Sequence, residues 1–345
     1  MQTNTKKALQ FIGSLTLGCV ILYIAARKLK GPDISWSEYG ATIADGFIQT
    51  NYWWIGLSCV IALISHLSRS LRWRMLITPL GKTPKVKNTF FAIMIAYLVN
   101  LAIPRGGEVA RCGVISQYEK VPFQKLLGTA VADRLFDLIV LVLMLFLGLL
   151  FAWQAVSNTV LEPLIEKLKN FAADKGLYII IGIVVLTIAT YLIIKLIKKS
   201  KFWDKIKNVL VGFKEGFVSV KKLDKPWLFI LHTIIIWVCY LLMIYVCFKG
   251  FPPTAHLGLV AALVTLVLAS FGMVVPSPGG AGTFQIGVIA AIVGIYGVDK
   301  DAGASFSLIV FIAQQGLVIV VGLLSFVLLP LLNKKTRNEQ VAANQ

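Results

Sequence analysis

The sequence predicts an all-α, polytopic integral membrane protein, and three observations predict it. Of 345 residues, 57% are hydrophobic and 14% charged, against roughly 25% charged in soluble domains. The mean hydropathy is +0.80. The apolar residues also fall into long runs separated by short basic segments. Runs of about 20 apolar residues cross a bilayer as helices, and six are clear, near 8 to 26, 52 to 67, 126 to 153, 177 to 197, 227 to 249 and 304 to 330.

The first run, Ala8 to Ala26, follows Lys6 and Lys7, is closed by Arg27, Lys28 and Lys30, and lacks a clear cleavage site. It reads as a retained helix rather than a signal peptide. Two further regions, 88 to 118 and 256 to 298, each hold an apolar run broken by prolines and glycines, and read as two opposed re-entrant or broken helical hairpins, the arrangement an inverted repeat would give. Residues 1–330 then form a single polytopic domain and 331–345 a polar cytoplasmic tail.

The formal charge of +18 fits basic cytoplasmic loops better than nucleic-acid binding. Arg69 to Lys87 holds six Lys or Arg residues and Lys195 to Lys225 ten lysines, which places both loops, and with them both termini, in the cytoplasm. That topology requires 88 to 118 to enter and leave on the cytoplasmic side, and 256 to 298 on the other. Phe202, Ile206, Val209, Phe213, Phe217 and Val220 recur every three or four residues among lysines, predicting an amphipathic helix near 201–222 on the inner leaflet.

The five cysteines show no CxxC spacing and read as small hydrophobes. The three histidines have no second ligand at metal spacing, so no metal site is expected. Gly81-Lys82-Thr83 lacks the upstream glycine of a phosphate-binding loop, and no Ser/His/Asp or Cys/His set points to covalent catalysis. Neither a catalytic residue nor a cofactor is expected.

The candidate chemistry sits at the two broken hairpins. The first carries Asn100, Pro104, Arg105, Gly106, Gly107, Glu108 and Arg111 at the tip of an apolar run; the second carries Pro276, Pro278, Gly279, Gly280 and Gly282, with Gln285 one turn on. Charge and irregular backbone at membrane depth belong where they face protein or a water-filled cavity. Paired Gly/Pro-interrupted segments in two halves of a chain point to a transporter site. Half-helix amino termini together with Arg105 and Arg111 suit an anionic head group. Glu108 reads most simply as the neutralising partner of an arginine.

Within the apolar helix near 126 to 153, Asp133, Arg134 and Asp137 need partners, and Asp133 and Asp137 share a face. They read either as a buried ion cluster with the arginines or as head-group contacts. Arg69, Arg72 and Arg74 close the second crossing, where such clusters anchor a helix at the anionic leaflet or, for Arg72, reach substrate.

Arg69-x-x-Arg72-Trp73, Pro104-Arg-Gly-Gly-Glu108-x-x-Arg111, Asp133-Arg134-x-x-Asp137 and Pro276-x-Pro278-Gly-Gly-x-Gly282, in this order, resemble the lysylphosphatidylglycerol synthase transmembrane-region family from about residue 50 to 330. That family includes the flippase half of the multiple peptide resistance factor, which moves aminoacylated phosphatidylglycerol between leaflets. The resemblance implies a standalone flippase-like protein of a bacterial cytoplasmic membrane, without the synthase domain. Gln285 stands where the family commonly has Glu, and Asp133 where it commonly has Glu. The expected function is movement of an anionic or aminoacylated phospholipid, or of a polyprenyl-phosphate lipid, between leaflets, with membrane lipids as the partners. The alternative is a membrane-embedded enzyme subunit or a scaffold that recruits a synthase or glycosyltransferase for lipid or lipid-linked glycan modification.

Overall fold

The computed structural model describes residues 35–163 and 223–333 apart from Pro276, with isolated positions 27, 166 and 169. The predicted crossings near 8 to 26 and 177 to 197, the amphipathic segment near 201 to 222, and the tail from residue 334 lie outside the described residues.

The principal elements among the described residues are helices: α1 Trp36–Gln49, α2 Tyr52–Ile77, α3 Val86–Ala102, α4 Gly107–Glu119, α5 Phe123–Phe151, α6 Pro226–Gly250, α7 Leu259–Gly272, α8 Thr283–Ile292 and α9 Lys300–Leu332. Four are long and apolar enough to cross a membrane: α2 with its terminal turn, α5, α6 and α9. They coincide with the four predicted crossings that fall on described residues. The chain is a multi-pass helical membrane protein.

α2 runs on to Ile77, past its predicted end near residue 67, because Arg69 and Arg72, which seemed to close it, are neutralised inside the bundle. α1 was not foreseen. It starts on a capping box in which Glu38 N–H donates to Ser35 Oγ at 3.2 Å and Ser35 N–H to Glu38 Oε2 at 2.8 Å.

Both broken segments fold as helical hairpins, α3–α4 and α7–α8. Their limbs have 17, 13, 14 and 10 residues. At 1.5 Å per residue these are roughly 26, 20, 21 and 15 Å long, each short of the ~30 Å hydrocarbon core. The hairpins open at opposite ends of α9. Beside the amino-terminal end of α9, Gly303 packs so tightly on Val293, just past α8, that a Cβ would lie 2.3 Å from it. Beside its carboxyl end, Asn88 at the start of α3 exchanges side-chain hydrogen bonds with Asn333, and Lys87 Nζ donates to Leu332 O. The open end of the first hairpin is closed by Glu119, whose Oε1 accepts from Lys85 N–H at 2.9 Å and Asn88 Nδ2 at 2.6 Å.

The tips meet midway along α9, where Gln315 Nε2 donates to Gly279 O at 3.0 Å. Leu101, at the end of α3, lies against Gly279. Arg105 Nη2 donates to Val274 O at 3.2 Å.

Two apolar clusters flank a polar layer on α2, α5 and α6, and along the chain α5 and α6 cross them in one order and α2 in the reverse. On α5, Leu126 and Ala130 belong to one cluster and Leu141 to the other, with Asp133 and Asp137 between. On α6 the sequence is Phe229, then Thr233 and Tyr240, with Ile236, Trp237 and Ile244 in the second cluster. On α2, Ile55 lies in one cluster and Trp73, Leu76 and Ile77 in the other, with Arg69 and Arg72 between. The outer faces of α5 and α9 present Leu143, Phe146, Leu150, Leu324, Phe326 and Val327 outward, as a lipid-facing surface requires.

Candidate functional site: an arginine–carboxylate cluster beside the hairpin contact

Asp133 is the centre of the polar layer. Its Oδ1 accepts from Arg72 Nη2 at 2.6 Å and from Arg72 Nε at 3.1 Å, and its Oδ2 accepts from Arg111 Nη1 at 3.0 Å. Asp137, one turn along α5, accepts from Arg72 Nη2 at 2.7 Å and from Arg69 Nη1 at 2.7 Å. Charge at this depth is tolerated because Asp133 receives directed, charge-assisted bonds from α2 and α4, and Asp137 two from α2.

The remaining guanidinium donors find neutral acceptors. Arg72 Nη1 donates to Thr233 Oγ1, Arg69 Nη2 to Tyr240 Oη, and Arg111 Nη2 to Ala130 O. Arg111 also stacks on Trp73, its Cζ 4.6 Å from the ring centroid, a favourable cation–π geometry. Trp73 is itself fixed by donating Nε1–H to Thr129 Oγ1 at 3.1 Å. α2, α4, α5 and α6 are thus pinned together by one network.

Arg134 and Glu108 form the outer part of the cluster. Arg134 Nε donates to Glu108 Oε1 at 2.8 Å, and the two side chains are 45% and 25% exposed, against none for Arg72 and Asp133. A cavity of about 10 Å³ lies between them, lined by Arg69, Ile93, Ala96, Tyr97, Glu108, Arg111 and Arg134. That is room for about one water. Arg69 Nε, Arg111 Nε and Glu108 Oε2, on three of these residues, are buried without a protein partner. Four arginines meet three carboxylates here, leaving one positive charge in excess.

The first hairpin's tip is built by residues that hold its shape. Asn100 Oδ1 accepts from Gly107 N–H at 2.8 Å. A Cβ on Gly107 would lie 2.3 Å from Ala96 O, so only glycine lets α4 start this close to α3. Gly106 N–H donates to Ile103 O at 2.9 Å across the turn that contains Pro104 and Arg105, and Arg105 adopts a left-handed φ of 63° with its side chain exposed.

The second tip is a 3₁₀ turn, Pro278–Gly280, followed by α8. Gly279, Gly280 and Gly282 all have positive φ, between 58° and 82°. Ser277 Oγ and Thr283 Oγ1 bond at 3.0 Å across the loop, and Gln285 Oε1 accepts from Gly282 N–H at 2.8 Å. Pro276 lies outside the described residues.

A family model described as the lysylphosphatidylglycerol synthase TM region matches residues 11–322. The chain belongs to this family. The matched span contains the ion cluster and both hairpin tips. A protein of Methanocaldococcus jannaschii described as a UPF0104 membrane protein is 28% identical over 93 residues, which are 26% of this chain and 28% of the archaeal one. The match therefore spans under a third of that relative. No solved structure matches.

In this member of the lysylphosphatidylglycerol synthase TM-region family, the sequence-predicted residues fall into two groups. Arg72, Glu108, Arg111, Asp133, Arg134 and Asp137 form the ion cluster. Arg105 joins Pro278, Gly279, Gly280, Gly282 and Gln285 around the contact between tips. The first hairpin bridges the groups, giving Glu108 and Arg111 to one and Leu101 and Arg105 to the other. Arg69, Thr233 and Tyr240 were missed as site residues. Arg69 shares the i, i+3 spacing with Arg72, which puts both on one helix face, and that signal was sufficient to include it.

Proposed function

We propose that the protein moves an anionic or aminoacylated phospholipid, or a polyprenyl-phosphate lipid, between leaflets. The head group follows a polar path beside the two hairpins while its tails remain in lipid, which spares it a bare hydrocarbon crossing. One observation carries this reading: four guanidinium groups share three carboxylates within an apolar bundle. A fixed excess of positive charge in low dielectric attracts an anionic head group. The description of the matching family, which names the synthase of an aminoacylated phosphatidylglycerol, supports a phosphate-bearing lipid. The compact cavity is then the closed state, with Arg134 and Glu108 as its outer gate.

In the same proposal the protein sits in a bacterial cytoplasmic membrane with both termini inside, as its loop lysines suggest. The test reconstitutes the protein into liposomes carrying fluorescent phosphatidylglycerol and measures access of a membrane-impermeant quencher. Translocation above empty vesicles is expected, and equality with them rejects the reading.

The small size of the cavity, about 10 Å³, favours a second reading, a non-transporting scaffold for a lipid-modifying synthase or glycosyltransferase. Liposomes without translocation, together with co-purification of such an enzyme, select it.

A further inference from the structure

The cationic cluster is the obvious place to look for a phosphate seat, yet its arginines are already engaged. Arg72 uses Nε and Nη2 on carboxylates and Nη1 on Thr233. Arg111 gives its two terminal nitrogens to Asp133 and Ala130 O, and Arg134 is paired with Glu108. A phosphate entering here has to compete with carboxylates held at 2.6 to 3.0 Å.

The tip of the second hairpin presents the reverse situation, donors without acceptors. α8 starts at Thr283 and is ten residues long, so its first N–H groups and its dipole project positive charge toward the loop. Gln285 fixes a further donor there. Its Oε1 is committed to Gly282 N–H, which settles the orientation of the carboxamide, and its Nε2 is left buried with no partner. The residue is 3% exposed, and a buried donor of this kind is ordinarily paired. The loop in front is stripped of side chains at Gly279, Gly280 and Gly282. Arg105 reaches across from the first hairpin to Val274 O with its guanidinium exposed.

We propose that this tip is the oxyanion seat of the path, where the phosphate group of a lipid head rests between the amino terminus of α8, Gln285 Nε2 and Arg105. The assignment rests on the lipid-translocation reading and adds to it where the head group is recognised. A helix amino terminus, an amide donor and a guanidinium form a complementary set for phosphate oxygens. The Met273 side chain packs on Gly280 and is half exposed. As a flexible thioether chain it swings aside when the oxygen enters. The buried cluster is the fixed field behind the seat, and the seat is where the ligand binds.

The test follows thermal unfolding of the full chain in detergent while titrating phosphatidylglycerol, diacylglycerol with the same acyl chains, or inorganic phosphate. Wild type is expected to gain stability with phosphatidylglycerol and not with diacylglycerol. Gln285→Glu keeps the acceptor for Gly282 N–H and removes the donor, while Arg105→Gln removes the exposed cation. Each is expected to weaken apparent phosphatidylglycerol affinity about tenfold or more, the scale of one hydrogen bond to a charged group, and Arg105→Lys to restore part of it. Should Gln285→Glu fail to fold, the exposed Arg105 pair still decides.

Equal stabilisation by diacylglycerol, or unchanged affinity in the variants that fold, overturns the seat. Stabilisation by inorganic phosphate alone, lost in the variants, keeps the oxyanion chemistry and overturns the lipid as its source. Intact translocation with no Arg105 or Gln285 dependence sinks this seat alone. Arg105- and Gln285-dependent binding without any translocation sinks the transport reading alone.

Discussion

Arg72 places two guanidinium nitrogens on one oxygen of Asp133, Nη2 at 2.6 Å and Nε at 3.1 Å, and neither side chain is exposed. Sixty-one residues separate them in sequence. The pair ties the end of one crossing to the middle of another, and Arg111 brings in the first hairpin on the opposite oxygen.

Removing the carboxylate strands these cations. Asp133→Asn leaves Arg72 and Arg111 buried without their shared counter-charge, and breaking a buried pair from one side costs about 3–5 kcal/mol. Asp137 is 13% exposed and serves Arg69 and Arg72, so Asp137→Asn is expected to cost less. Unfolding of both variants in detergent by titrated SDS checks the order. Asp137→Asn proving the more damaging would mean that Asp133 is not the centre.

The Glu108–Arg134 pair predicts the opposite balance between stability and activity. Both side chains are partly exposed, and pairs of that kind contribute about 0–1 kcal/mol. Glu108→Gln is therefore expected to leave the unfolding midpoint nearly unchanged. If the pair is the outer gate of the path, quencher-accessible lipid flux in liposomes changes at least severalfold. A variant with unchanged flux assigns the pair a purely structural place.

The elements were legible wherever one strong local signal decided them. Apolar length alone located α2, α5, α6 and α9, and the proline and glycine interruptions located both tips. α1 was passed over although Ser35 and Glu38 carry its capping box, because a 14-residue helix beside a membrane has no hydropathy signature. The partners in the site were less legible. That Asp133 needs a cation follows from its place in an apolar helix, but the choice of Arg72 and Arg111 over Arg105 depends on how four helices cross. Arg69 was read with the leaflet-facing basic loop although its spacing puts it on the face of Arg72, since an arginine at the end of a crossing ordinarily snorkels outward. Thr233 and Tyr240 on α6 are invisible for the same reason: a hydroxyl on an apolar helix has no periodic signal.

Gly107 and Asn100 together make the first tip, and their losses differ. An alanine Cβ at Gly107 would lie 2.3 Å from Ala96 O and 2.7 Å from the Asn100 amide. α4 must then shift away from α3, at about 1–3 kcal/mol, carrying Glu108 and Arg111 off their partners. Asn100→Ala removes the acceptor for Gly107 N–H without forcing a clash. Gly107→Ala is expected to lower both stability and flux, and Asn100→Ala to lower stability by about 1–3 kcal/mol, the cost of an unsatisfied buried donor. Equal behaviour of Gly107→Ala and wild type in SDS titration would show that the tip does not need this close approach.

Gly272 offers the sharpest test of the second hairpin, because its contact is backbone on backbone. A Cβ there would lie 2.1 Å from Thr283 O and 2.9 Å from Thr283 C. No flexible side chain can give way, so α7 and α8 must spread at the point where α8 begins. Gly113 supplies the control: it lies within α4 with nothing inside 4 Å of its Cβ position. Gly113→Ala is expected to stabilise by up to about 1 kcal/mol through helix propensity, whereas Gly272→Ala destabilises by about 1–3 kcal/mol. The spread also carries Thr283 and Gln285 away from Arg105, so Gly272→Ala should weaken phosphatidylglycerol binding although it removes no donor. A Gly272→Ala protein with wild-type lipid affinity would place recognition away from the α8 terminus, whatever its effect on stability.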